Sequence, residues 1–394
     1  MNETLSRIEQ ALLDNNLKAA RNALSALGTK PKEVSRGQQL FGDLLRRNRD
    51  YQAALTAYDA SIEASRGRNL ASIYGKLECL AHLVQLDAFR HTAAEFVENP
   101  RFNENFFSRI ALAAVKLEDV ETAKSILDRI EVDAADSYEA RTWFRVAKTR
   151  LMMGDQAAAR ACATKARALA AGNIDLLLEI ATIDYDLNEY WELRYNSSQG
   201  ERTPVDVAAQ SDDGYENRRR RDTAYLQRVF ETQLGGRRFP FAVDCGCGSG
   251  RLIPFLSHWC DRLNCFDISQ TALDYARRNN EGLTNVTFTQ KDMSTSPLPA
   301  ATYDLVFDFT VVQHVSDPTL WRKVLQNYVQ ACKPQGMIFL LEVLGDGKRR
   351  DVLHVSNATP ETYIETVEAA GADLVYQDIA PWNEICLIFR KPPA

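Results

Sequence analysis

Proline is nearly absent from the first 185 residues, where only Pro31 and Pro100 occur, and almost nothing there alternates in the way a half-buried strand does. Together these exclude a sheet-built N-terminal half. No run of about 18 apolar residues exists anywhere, so no segment is expected to span a bilayer. Basic residues do not dominate: 47 Lys and Arg against 53 Asp and Glu leave a net charge of -6. No global field therefore draws the chain to nucleic acid or an anionic membrane. The eight cysteines are scattered at 79, 162, 245, 247, 260, 265, 332 and 386. That spacing argues for reduced thiols rather than a disulfide framework, and no second close pair joins Cys245 and Cys247 to complete a metal site. Residues Met1–Arg7 carry an acid and no apolar signal core, so the expectation is a cytoplasmic protein.

In place of strands, the N-terminal half has apolar residues at helical spacing, in segments of about a dozen broken by short polar turns. A repeat emerges on alignment. Within Phe41–Ser61, small residues stand at Gly42, Ala54 and Ser61, with an aromatic at Tyr58. The same template fits Trp143, Val146, Ala147, Gly154, Asp155, Ala159 and Ala166. Taking Ala20, Ala54, Thr92, Ala123 and Ala159 as equivalent gives spacings of 34, 38, 31 and 36. The pattern resembles the tetratricopeptide repeat, whose period is about 34. The resemblance implies a solenoid of helix pairs in which small residues allow close approach and the aromatic fills the gap between units. Its concave face would suit a peptide or protein partner. Two other readings stay open: the array makes the protein a homo-oligomer, or it covers a site in the C-terminal half.

The C-terminal half reads differently. Val243-Asp244-Cys245-Gly246-Cys247-Gly248-Ser249-Gly250 ends an apolar run in an acid followed by three alternate glycines. Glycine there lets the chain turn sharply and lets a ligand lie against bare peptide groups. A dinucleotide fingerprint would place its third glycine three positions after the second, whereas Arg251 stands there and the glycine is at 250. A second strand ends in Asp267, 23 residues beyond Asp244, close to the spacing of a ribose-binding carboxylate. Asn285–Gln290 alternates and runs into Lys291-Asp292-Met293, and Tyr303–Thr310 forms a fourth strand before Val311–Pro318.

These residues resemble the motifs of the class I S-adenosylmethionine-dependent methyltransferases. The resemblance implies a Rossmann-like seven-stranded sheet whose final two strands, near 373–377 and 384–389, form an antiparallel hairpin. It also implies a cofactor site built from Asp244, Gly246, Gly248, Gly250, Asp267, Ile268, Asp292, Met293, Asp308 and Phe309. Glu189–Tyr195 is similar to the opening that folds over the cofactor in such enzymes, with Trp191 and Tyr195 facing a sulfonium and Arg194 gripping a carboxylate. The alternative is that Trp191 and Tyr195 pack inside the last solenoid helix.

The fold class expected is thus α + α/β, with a repeat domain over 1–187 and a methyltransferase domain over 188–394. Residues 188–215 would form its lid and linker. The run Arg218–Arg221 is bracketed by Glu216 and Asp222 and reads as a solvated helix face, so no nucleic-acid partner is expected. Candidate catalytic residues at the strand ends are His314, whose titration range suits a general base, and the acids Asp308 and Glu342; His354 lies in the segment after the fifth strand. A hydroxyl of a sugar or surface glycan is the favoured methyl acceptor, on resemblance of the fourth-strand region. A protein target recruited by the repeats is the alternative, and a scaffold with an inactive cofactor-binding domain is a third.

Overall fold

The computed structural model describes residues 3–97, 104–132, 139–197, 200, 212–343, 355, 358–382 and 384–393. They separate into two compact units, Met1–Leu169 and Ala170–Ala394. Of the expected lid and linker over 188–215, residues 198, 199 and 201–211 lie outside the described residues, while the two ends of that segment are helical. His354 also lies outside them. Among the described residues no helix is long and apolar enough to cross a membrane.

The first unit is five helix pairs: α1 (Glu3–Leu13) with α2 (Leu17–Ser25), α3 (Pro31–Arg47) with α4 (Tyr51–Ser65), α5 (Leu70–His82) with α6 (Leu86–Val97), α7 (Glu104–Lys116) with α8 (Val120–Val132), and α9 (Ala140–Met152) with α10 (Gln156–Leu169). Each odd helix packs on its own partner and on the odd helix of the next pair. The turn inside every pair has one design. Asn15, Arg49, Val84, Glu118 and Gly154 all take positive φ there, from 51° to 88°. Only one of the five is glycine. Each turn is closed by the next residue's N–H, Asn16, Asp50, Gln85, Asp119 and Asp155 donating to the carbonyls of Ala11, Leu45, Leu80, Ala114 and Arg150 at 2.8–3.0 Å, the bonding that ends a helix in a left-handed residue. Five residues further along each chain path, the backbone N–H groups of Ala20, Ala54, Phe89, Ala123 and Ala159 donate to Asn16, Asp50, Gln85, Asp119 and Asp155.

That geometry corrects the repeat register. Phe89, fully buried, occupies the third pair's equivalent position, and Thr92 lies almost one turn beyond it. The spacings then become 34, 35, 34 and 36. Tyr58 does fill the gap between pairs, with its ring fully buried between Gly42 of α3 and Gly75 of α5. A Cβ at Gly75 would come within 2.3 Å of the ring. Gly75→Ala is accordingly expected to destabilise this unit by about 1–3 kcal/mol through overpacking. Chemical denaturation of the full chain followed by its helical signal would register this as a lower midpoint; an unaltered midpoint would refute it.

The second unit begins with α11 (Ile174–Ala181), α12 (Leu187–Asn196) and α13 (Asp212–Thr232). The expected boundary near Asn188 thus falls inside α12, within this unit. The sheet follows: β1 (Phe239–Cys245), β2 (Cys260–Asp267), β3 (Val286–Gln290), β4 (Tyr303–Phe309), β5 (Cys332–Val343), β6 (Asp373–Ile379) and β7 (Glu384–Arg390), in the order β3-β2-β1-β4-β5-β7-β6. Strands β1 to β5 are parallel, and β7 is antiparallel to both β5 and β6.

Buried strands here are apolar on both faces, as sheets covered by helices on both sides must be. Ala242, Phe307 and Phe339 join Leu226 and Phe230 of α13 and Phe255 of α14 (Ile253–Trp259) in one core. Val243, Val306 and Ile338 meet Trp321 and Tyr328 of α16 (Pro318–Ala331) and Tyr363 of α17 (Pro360–Ala369) in the other. The parallel strands deliver their carboxyl ends to one edge, where α/β sheets hold ligands.

Candidate functional site

At that edge the three glycines 246, 248 and 250 all take positive φ. A Cβ at Gly246 would lie 2.5 Å from Val311, and one at Gly250 2.4 Å from Asn280. The loop is therefore shaped by two tight approaches as well as by its own turn. It is also pinned to the neighbouring strand. The N–H groups of Gly246 and Cys247 both donate to Phe266 O, at 2.7 and 2.9 Å.

Asp267 completes the attachment. Gly248 N donates to its Oδ2 at 2.8 Å and Ser269 N to its Oδ1 at 2.9 Å. The Ile268 backbone N–H also acts on this carboxylate, and since a carboxylate accepts about four hydrogen bonds, capacity remains for a ligand. Burial lifts Asp267 to about 6 despite these backbone donors. Asp244 is lifted further, to about 8, by burial and then by the negative charge of Asp308 and Asp267. Such a group of buried acids favours a ligand that brings positive charge.

A cavity of about 290 Å³ opens above this edge. It gathers Trp191, Arg194, Tyr195, Asp244, Gly246, Gly248, Asp267, Ile268, Asp292, Met293, Phe309 and His314 from the residues expected by sequence. Gly250, Asp308 and Glu342 do not line it. Asp292 reaches the cavity with its oxygens already accepting from Ser294 N, Ser294 Oγ and Thr295 Oγ1 at 2.6–2.9 Å. Little acceptor capacity is left for a ligand amine.

The helix α12 forms one wall. Glu192 ties it to the start of α15 (Gln270–Asn279), accepting from Gln270 N at 2.6 Å and Thr271 Oγ1 at 2.8 Å. Trp191 meets the His314 imidazole edge-on at 4.9 Å, and Tyr185 donates to His314 O at 2.8 Å. Trp191 and Tyr195 therefore belong to the cavity wall, one of the two placements open on sequence grounds.

Asp308 and Glu342 are fully buried beneath the segment after β4. Tyr328 Oη donates to Asp308 at 2.8 Å and Val311 N at 3.0 Å, while Gln313 N donates to Glu342 at 3.3 Å. Burial, and then the adjacent Asp308, push Glu342 well above the ordinary carboxyl range. These acids shape the turn that carries His314 and do not face the cavity as bases. Gln313 adds a second restraint. Its Oε1 accepts from Val343 N at 2.8 Å, which turns its amide NH2 toward His314 Nε2 at 3.3 Å.

Sequence reasoning missed Arg251, Gln313 and Glu384, all of which line the cavity. It placed Arg218 on a solvated face, yet that side chain is 12% exposed and also borders the cavity. Position after the glycine triplet was a signal for Arg251; nothing local marks Glu384.

Residues 242–336 match a family model described as a methyltransferase domain. No curated protein matches the chain. Among solved structures it is similar to the N-methyltransferase NodS from Bradyrhizobium japonicum WM9 in complex with S-adenosyl-L-homocysteine, at 19% identity over 52% of this chain and 98% of that one, with a TM-score of 0.42. It is also similar to an S-adenosylmethionine-dependent methyltransferase from Mesorhizobium loti, at 15% identity over 39% and 92%, with a TM-score of 0.34.

Proposed function

We propose that this chain, whose C-terminal unit carries an S-adenosylmethionine-dependent methyltransferase domain, methylates a hydroxyl of a sugar or surface glycan in the cytoplasm. The observation that carries the cofactor reading is Asp267: a buried acid at a strand's carboxyl end, fixed by Gly248 and Ser269, with acceptor capacity left. Two adjacent ribose hydroxyls suit such a carboxylate. Ile268, beside it, with Asp292 and Met293 would hold the adenine, and the loop of Gly246, Gly248 and Gly250 with Asp244 and Phe309 would take the methionine portion. Trp191 and Tyr195 offer aromatic faces to the sulfonium, and Arg194 serves the carboxylate.

Bound S-adenosylmethionine supplies an activated methyl group for in-line displacement by the acceptor oxygen. The chain's part is alignment and proton removal. His314 is the proposed base. The Gln313 amide at 3.3 Å and Trp191 edge-on hold the ring in place at the cavity wall. Asp308 and Glu342, the other candidates, support its turn.

A protein acceptor is the second reading, supported by the five helix pairs of the first unit, whose tetratricopeptide likeness suits recruitment or oligomerisation. The test is calorimetry with S-adenosylmethionine, then transfer of labelled methyl to cell fractions of glycan, protein and small molecules. Label in glycan supports the proposal, and label in protein selects the second reading. Absence of cofactor binding would remove the enzymatic reading.

A further inference from the structure

The cavity differs in charge from end to end. Asp267 and Asp292 stand where β2 and β3 finish, whereas Arg251 follows β1 and Glu384 opens β7 beside Val343 of β5. The arginine end is organised by one carboxylate. Asp222 of α13 is completely buried and accepts from Arg251 Nη1 at 2.6 Å, Arg218 Nε at 2.9 Å and Arg221 Nη2 at 3.1 Å. Arg218 also donates to Glu384 at 3.2 Å, and Arg221 lies over the Trp382 ring at 4.1 Å.

Asp222 and Glu384 are two carboxylates against the three guanidinium groups of Arg218, Arg221 and Arg251, and low-dielectric surroundings strengthen the field of such a cluster. Arg251 is the best placed to use it. Its side chain is 7% exposed and lines the cavity, with Phe309 beneath. Among the described residues its hydrogen bond to Asp222 engages Nη1, so Nε and Nη2 form the side of the guanidinium turned away from that bond. A guanidinium fixed at one corner presents its remaining donors in a preset fork, the arrangement that binds planar oxyanions.

We infer that Arg251, oriented by Asp222, is a second oxyanion receptor of the cavity, in addition to Arg194. The anion is a carboxylate or phosphate: the carboxylate of the cofactor's methionine portion, or an acidic group on the acceptor. The inference rests on the cofactor reading above and extends it to residues absent from the expected site.

Calorimetry on the full chain separates the sources. S-adenosylhomocysteine and 5′-methylthioadenosine share the nucleoside and sulfur, but only the first has the carboxylate. If Arg251 holds that group, Arg251→Met weakens S-adenosylhomocysteine at least tenfold and leaves methylthioadenosine within twofold. If it holds the acceptor's anion, both nucleosides bind as in wild type, while binding of inorganic phosphate to the S-adenosylhomocysteine-saturated protein is lost. Equal weakening of both nucleosides marks Arg251 as a structural prop and overturns the inference. Unchanged behaviour toward all three probes does the same. Should Arg251→Met not fold, Arg251→Lys retains the charge and the reach to Asp222 while losing the fork, and the same split applies. Failure of the wild type to bind either nucleoside would instead strike the cofactor reading; the phosphate titration, repeated without nucleoside, still tests Arg251.

Discussion

Replacing Asp267 by alanine is expected to lower S-adenosylhomocysteine affinity by roughly two orders of magnitude or more, since two ribose hydroxyls each lose a charged acceptor worth about 1.5–3 kcal/mol. The loop suffers as well. Gly248 N and Ser269 N, which donate to this side chain, would be left without it. The wild type should show a related effect with pH, because Asp267 is held at about 6. Affinity should be high above pH 7 and fall as the solution is acidified through pH 6, where the acceptor becomes a protonated acid. Fold stability should move the other way. A folded-state pKa above the ordinary value of 3.8 means that the folded protein binds more protons than the unfolded chain in that window. This group's contribution is therefore fully present below about pH 4 and lost as pH rises through 6. Calorimetry and denaturation from pH 5 to 8 measure the two trends. Asp267→Asn should flatten the binding trend and reduce the stability slope, the rest of which comes from Asp244, lifted to about 8. Undiminished binding by Asp267→Ala would dismiss the ribose assignment.

Turnover is the second large effect. His314→Ala should reduce methyl transfer by roughly 10²–10⁴-fold, the usual span for loss of a positioned general base. Cofactor affinity should stay within about threefold, because other side chains hold the nucleoside. The assay is label transfer to whichever cell fraction accepts methyl from the wild type, paired with calorimetry. The combination separates the base from a mere support of the cavity wall, which Trp191 also touches. Retained turnover with normal binding would eliminate His314 as the base.

The parts of the site legible in sequence are those whose chemistry is local. A strand running into an acid and alternate glycines announces its turn without help, and Asp267 lies at the end of the next strand, where its spacing can be counted. The seven strands were readable because each is a short apolar or alternating run bounded by turn residues. Asp308 and Glu342 were misjudged because both sit at strand ends, and only the parallel pairing of β4 with β5 turns them to the same buried turn. Arg251 and Asp222 are 29 residues apart on different elements, so no spacing rule joins them. Thr92 was chosen over Phe89 because the consensus calls for a small residue, and the third pair accommodates a phenyl ring there instead. Val84 and Glu118 hold left-handed turns that their side chains disfavour, leaving no glycine to mark them.

Placing β5 between β4 and β7 has a consequence for biosynthesis. The helix pairs close on sequence neighbours, so each can settle soon after it leaves the ribosome. Strand β5, apolar on both faces, can pair with β4 early but keeps its other edge open until Glu384–Arg390 has been translated. During that interval the nascent chain displays an apolar strand edge of the kind that templates aggregation. Stalled translation or premature termination between β5 and β7 would strand the protein in that sticky state, making the methyltransferase unit the more chaperone-dependent half of the chain.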